Sequence, residues 1–153
     1  MNQIRNSAKA IIIRDGCLLL VRNRDGGGDW FCLPGGGQNH GETLHEALQR
    51  ECQEEIGVRV EVGELHLIRE YIGKNHEFAQ HDGEAHQVEC MFECRIAPSD
   101  TPSTGKTPDS QQAGIAWVPL SKLPDCNLYP KVLRQILKNG FSEMRTLYLG
   151  NVN

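Results

Sequence analysis

The segment from Thr43 to Gly57, TLHEALQRECQEEIG, constrains the fold more than any other part of the chain. Thr43 with Glu46 three residues later is a capping-box pattern, and Gly57 is a natural stop, so the segment predicts a helix over 43–56. Placed on a wheel at about 100° per residue, Leu44, Ala47, Leu48, Cys52 and Ile56 share one arc covering roughly half the circumference. Glu51 and Glu55 fall inside that arc, between Ala47 and Leu48, and Glu54 lies at its border. Desolvating a carboxylate costs several kcal/mol unless something positive compensates. One reading is a solvated acidic edge, with Arg50 pairing to Glu54 at i+4. The other is that carboxylates at i, i+3 and i+4 converge beside the glycine-rich stretch that precedes the helix. Such a cluster suits a hard divalent cation with oxygen ligands, magnesium or manganese.

Around this helix the chain reads as a mixed α/β domain. Ala8 to Ile13 and Cys17 to Arg22 are β-prone runs joined by Arg14-Asp15-Gly16, a hairpin signal. A short strand is expected over Trp30 to Leu33, ended in a loop by Pro34 and the glycines after it. Val58 to Tyr71 predicts one or two strands broken near Gly63. Alternation of Val88, Cys90, Phe92, Cys94 and Ile96 with polar residues predicts a half-buried strand, and Ile115 to Val118 another. Pro130 to Asn139 predicts a closing helix, with Leu133, Ile136 and Leu137 as its stripe and Gly140 at its end. Two irregular segments remain, 72–87 with three histidines and 97–113 rich in Ser, Thr and Pro.

Composition narrows the functions. At 153 residues the chain suits one domain with a real core. Sixteen basic and 20 acidic residues leave a formal charge of −4, which is no polybasic footprint and argues against a stable nucleic-acid partner. The apolar runs are too short to span a bilayer, and no signal-peptide core precedes Arg14 and Asp15. The six cysteines are scattered without a CxxC pair, which predicts reduced thiols in a cytoplasmic protein.

Counting from Gly36, the chain reads G-x5-E-x7-R-E-C-x-E-E-x-G-V through Glu42, Arg50, Glu51, Glu54, Glu55, Gly57 and Val58. This resembles the Nudix box with every fixed position filled; Cys52 at a bulky-aliphatic position is a small departure. The WFCLPGGG approach, the AWVPLSKLP stretch and the closing helix also look Nudix-like. The resemblance implies an α/β/α sandwich around a mixed sheet, in one domain over 1–153. It implies an enzyme that acts on phosphorus-containing acid anhydrides, hydrolysing the diphosphate of a nucleoside diphosphate linked to another group. By similarity, Glu51, Glu54, Glu55 and the Gly36 carbonyl bind Mg2+ (or Mn2+), Glu54, Arg50 and Glu51 are the catalytic set, and Glu42 holds the loop or joins the metal site. The expected partner is a nucleotide-derived small molecule, with homodimerisation left open.

The resemblance leaves substrate and general base open. ADP-ribose or a nucleotide sugar is the first reading, a MutT-like triphosphate pyrophosphohydrolase the alternative, and a non-catalytic ligand sensor a distant third. No proline lies between Pro34 and Pro98, where many ADP-ribose enzymes of the family carry one. Where several Nudix enzymes take a further glutamate from the loop before the WVP-like strand, this chain has Gln111 and Gln112, which cannot accept a proton at neutral pH. Asp109 is the nearest carboxylate, and the base is then a box glutamate or a carboxylate of the earlier loop, such as Glu77 or Glu84. The spacing of His76, His81 and His86 fits no zinc motif. A solvated loop, or one that covers the substrate with Tyr71 or Phe78 against a base, fits better. Trp30 and Trp117 read as core or rim residues.

Overall fold

The computed structural model describes residues 3–145 and 147–153. The strands are β1 (Arg5–Ile11), β2 (Ile13–Arg14), β3 (Cys17–Asp25), β4 (Gly28–Cys32), β5 (Gly35–Gly37), β6 (Glu61–Ile72), β7 (His86–Arg95), β8 (Gln112–Pro119) and β9 (Tyr148–Asn151). The helices are α1 (Leu44–Ile56), α2 (Ala79–Asp82) and α3 (Leu133–Ile136), joined by two 3-10 turns at Gly73–Asn75 and Leu120–Asp125.

The strands form two sheets. One is mixed, in the order β5-β1-β7-β6-β9, with β1 parallel to β7 and β6 parallel to β9. The other is antiparallel, with β3 flanked by β8 on one side and by β2 and β4 on the other. The Arg14-Asp15-Gly16 turn forms as the sequence implies, with Asp15 and Gly16 both at positive φ. The apolar run before it, however, is shared between the sheets: β1 ends at Ile11 and β2 begins at Ile13.

Two apolar layers make the core. Leu48, Cys52 and Ile56 of α1 pack with Ala8, Ala10, Val21 and Phe92. On the other side Leu133 and Leu137 pack with Ile11, Leu20, Leu67 and Met91. Full burial of a Leu or Ile side chain contributes about 1.5–3 kcal/mol, so these layers fix how α1 sits against β1 and β5. This is the α/β/α arrangement around a mixed sheet that the sequence implies.

Several elements differ from their sequence patterns. Pro34 to Gly37 does not dissolve into a loop: Gly35, Gly36 and Gly37 form β5, paired with Lys9, Ala8 and Ser7. Their want of strand propensity is overridden because β1 offers an open edge, and propensity in sheets yields to such context. Val58 to Tyr71 does not break at Gly63; β6 runs through it and absorbs the irregularity in register shifts between Val62 and Leu67. The closing helix is one turn, Leu133–Ile136, rather than the whole of 130–139, since so short a helix rests on its packing. Strand β9 and helix α2 had no visible pattern. No helix among the described residues is long and apolar enough to cross a membrane.

Candidate active site

Helix α1 begins as its sequence dictates. Thr43 Oγ1 accepts from the Glu46 N–H at 3.1 Å, and the Glu46 carboxylate accepts from the Thr43 N–H at 2.8 Å. Gly57 closes the helix at φ 70°. Beyond it, segment 97–113 docks on the helix end, where the Ser103 and Gly105 N–H groups donate to the Ile56 and Glu55 carbonyls.

The three glutamates singled out by the wheel take three environments. Glu55 is 6% exposed and accepts from the Gly35 N–H at 2.9 Å. Burial pushes its pKa up to about 7, although Lys9 and the Gly35 N–H both favour the charged form. Glu51, with its side chain 14% exposed, lies against Gly36: a Cβ there would come within 2.5–2.7 Å of its carboxylate. Glu54 is half-exposed and turns toward Arg50. The three therefore do not converge on one point, as the sequence suggested. Glu55 settles on the Gly35 N–H, while Glu51 and Glu54 share the Arg50 guanidinium.

Arg50 is the hub of this arrangement. Its guanidinium donates to Glu42 at 2.6 and 3.0 Å, to Glu51 at 2.9 Å, to Glu54 at 3.5 Å and to the Gly37 carbonyl at 2.9 Å. The Arg50 contact, with help from the Asn39 N–H, pulls the Glu42 pKa down to about 2. Loop and helix are thereby tied together through Glu42, Gly37 and Arg50.

Gly36, Glu51 and Glu55 line a cavity of about 390 Å³ with Arg5, Ser7 and Lys9 of β1 and with Asp109. The donor set is oxygen only, and the absent Gly36 side chain is what admits the Glu51 carboxylate. Both features suit a hard divalent cation. Glu54 stands outside this lining, joined to it through Arg50. Among the described residues, the group of ligand-type side chains whose ligand atoms all lie within 4.8 Å of one another is a different one, Glu64, His66 and Glu93.

Of the candidate bases outside the helix, Asp109 lines the cavity, together with the box glutamates Glu51 and Glu55. Glu77 is held by Lys131, and Glu84 borders a separate hollow beside His86. Gln111 lines the cavity, whereas the Gln112 side chain donates to the Glu55 carbonyl at 2.8 Å.

A second cavity of about 680 Å³ adjoins the first, and Trp30, Gln87 and Gln111 line both. Its walls include Tyr71, Phe78 and Tyr129. Tyr129 meets Trp30 and Phe78 edge-on, with ring centroids at 6.4 and 5.6 Å. The histidine-bearing segment is part of this wall: His76 stacks on Tyr71 at 5.1 Å and its Nε2 lies 2.7 Å from Asn151 Oδ1, while His81 lines the cavity. His86 instead faces Glu70. The three histidines do not assemble into a metal site. Trp30 is a rim residue, and Trp117 packs against the core under Arg14. Tyr129, Gln87, Ser7 and Lys9 went unseen in the sequence. The period-two spacing of Arg5, Ser7 and Lys9 was the available signal for the last two.

Comparison with known proteins identifies the family. The NUDIX domain model matches residues 4–139. The nucleoside triphosphatase NudI of Enterobacter sp. (strain 638) is 32% identical over 103 residues, 66% of this chain and 69% of that protein. NudI of Salmonella arizonae is 38% identical over 58 residues, so the chain spans only 41% of that relative's length. Among solved structures, the MutT NUDIX hydrolase from Burkholderia pseudomallei superposes with a TM-score of 0.67 at 26% identity, covering 86% of this chain and 95% of that one. A UDP-X diphosphatase shares the fold, with a TM-score of 0.68 at 19% identity over 97% of this chain and 68% of its own. The chain belongs to the Nudix family and is a Nudix hydrolase.

Proposed function

We propose that the protein hydrolyses a diphosphate bond in a nucleoside diphosphate linked to a further group, with Mg2+ or Mn2+ as cofactor. The observation that carries this reading is the junction of two cavities through Trp30, Gln87 and Gln111. One is lined by carboxylates and glycine backbone, the other by aromatic rings. The aromatic cavity is the size and character of a nucleoside site, and the carboxylate cavity receives the diphosphate.

Glu51, Glu55 and the Gly36 carbonyl would hold the cation, with Glu54 and Glu42 held in place by Arg50. A divalent cation there would neutralise the diphosphate, polarise the attacked phosphorus and acidify a bound water. Arg50 braces both Glu51 and Glu54, and of the two it is Glu51 that lies against the glycine strand. Asp109, which lines the same cavity from outside α1, would take a proton from the attacking water. Gln111 can orient that water or the substrate but cannot accept its proton.

The relative at 32% identity is named a nucleoside triphosphatase. Triphosphates, in which the further group is phosphate, are therefore the first substrates to try, ahead of the ADP-ribose and nucleotide sugars that the sequence put first. The six unpaired cysteines suit a reducing compartment, the cytoplasm. A panel of ribo- and deoxynucleoside triphosphates, ADP-ribose and UDP-glucose, assayed for phosphate, pyrophosphate and nucleoside monophosphate with magnesium and with EDTA, tests the proposal. Magnesium-dependent release from at least one member is expected, and inertness toward the whole panel would refute it.

A further inference from the structure

We propose that Arg5, Ser7 and Lys9 of β1 form the wall that binds the substrate's phosphoryl oxygens, with the Ser7 hydroxyl as a direct donor. This rests on the reading of the neighbouring carboxylates as a diphosphate-cleaving centre. The three residues alternate along the strand and so share a face, and all three line the cavity that holds Gly36, Glu51 and Glu55.

Ser7 is the most telling of them. It is 1% exposed, and its Oγ has no hydrogen-bond partner. A buried hydroxyl left unpaired costs stability, and few such groups persist in folded proteins without a reason. A residue kept polar in this place, between two cations and facing a site for anions, is explained by a ligand acceptor that arrives with the substrate.

The cations on either side are placed for the same purpose. Lys9 Nζ donates to the Gly35 carbonyl at 3.1 Å, while the Glu55 carboxylate accepts from the Gly35 N–H, so the two side chains grip opposite ends of one glycine in β5. The Arg5 guanidinium lies over Gly37: a Cβ at that residue would come within 2.7 Å of it. Arg5 also lines the adjoining hollow with Gln38, Asn39 and Glu42, at the end of the cavity farthest from Lys9 along the strand. Glu89 sits beside Ser7 on β7 in the sheet register, but its charge is committed to Arg69. The wall therefore faces the carboxylates with two positive charges and a spare hydroxyl. A diphosphate held between them is neutralised from both sides.

The test uses imidodiphosphate, a non-hydrolysable diphosphate, titrated calorimetrically into the protein at saturating magnesium, alongside thermal melts. Ser7→Ala should weaken its binding about tenfold or more, the loss expected for a hydrogen bond to a charged acceptor. Its melting temperature should hold or rise, because an orphan hydroxyl has been removed. A purely structural serine would show the reverse pattern, lower stability with affinity intact. Arg5→Gln, at an exposed position that leaves the fold alone, should also weaken binding and flatten its salt dependence. Wild-type affinity in Ser7→Ala overturns the proposal, and should that variant not fold, wild-type affinity in Arg5→Gln does so. No magnesium-dependent binding by the wild type would instead overturn the reading of the site itself.

Discussion

Two adjacent glycines should respond in opposite ways to the same substitution. At Gly35 a Cβ would meet the Ala8 carbonyl oxygen at 2.1 Å and Lys9 Cα at 2.9 Å, and the residue sits at φ 132°. A non-glycine residue there costs about 1–3 kcal/mol in backbone strain. Forcing β1 and β5 apart to admit the methyl costs about 1–3 kcal/mol more. For a domain of this size each kcal/mol lowers Tm by about 2–4 °C, so Gly35→Ala should fall by roughly 10 °C. At Gly36 all the nearest atoms belong to the Glu51 carboxylate, the free end of a flexible side chain, at 2.5–2.7 Å. Gly36→Ala should therefore keep its Tm within about 3 °C. It should nonetheless lose about a hundredfold in kcat, because the displaced carboxylate is misplaced by an ångström or more. Circular-dichroism melts and turnover of the best panel substrate measure both. A Gly35→Ala protein that melts with the wild type, or a Gly36→Ala protein with full activity, would refute the account of β5 as the backbone of the site.

Three further outcomes follow from the same structure. Burial opposes the charged form of Glu89, but Arg69 and Lys9 outweigh it and hold the pKa below the usual carboxylate range. The stabilisation is thus full above the unfolded value, about 4.3, and lost as pH falls through the lower folded value. Glu89→Gln should be less stable than wild type by about 3–5 kcal/mol at pH 7, with the gap closing in urea melts taken at progressively lower pH below 4.3. Asp109→Asn should lower kcat with little change in KM, whereas Glu77→Gln, which frees Lys131 beside the aromatic cavity, should alter KM alone; steady-state kinetics that reverse the two would show the base misassigned. Magnesium at about 100 times its dissociation constant should stabilise the wild type by roughly 2.7 kcal/mol, several degrees in Tm, and Glu51→Gln should shrink that shift at constant ionic strength.

Helix α1 was legible to the residue because its signals are local: a cap three residues from its partner, a stop glycine and one apolar arc. The acidic anomaly within that arc was legible for the same reason, and Glu55 is indeed buried among Ala47, Leu48 and Ile56. Strand β5 was hidden because glycine carries no pattern of its own, and only the register against Lys9, Ala8 and Ser7 makes it a strand. Strand β9 depends likewise on β6, far away in sequence. Starting the first strand at Ala8 left out Arg5 and Ser7, which alternate with Lys9 on its polar face. The aromatic cavity gathers Trp30, Tyr71, Phe78 and Tyr129 from four separate segments. Tyr71 and Phe78 could be singled out in the sequence, but no spacing rule joins them to Trp30 and Tyr129, so the cavity itself was not legible.

In the proposed mechanism the carboxylates of α1, set against the glycines of β5, would hold the divalent cation that makes diphosphate cleavage possible. Phosphorus NMR of nucleoside triphosphate hydrolysis, comparing wild type with Glu55→Gln in magnesium and wild type in EDTA, tests it most directly. Cleavage products are expected with the wild type in magnesium, none after chelation, and loss of most turnover in a folded Glu55→Gln protein. Undiminished hydrolysis in EDTA, or at the wild-type rate by Glu55→Gln, would contradict it.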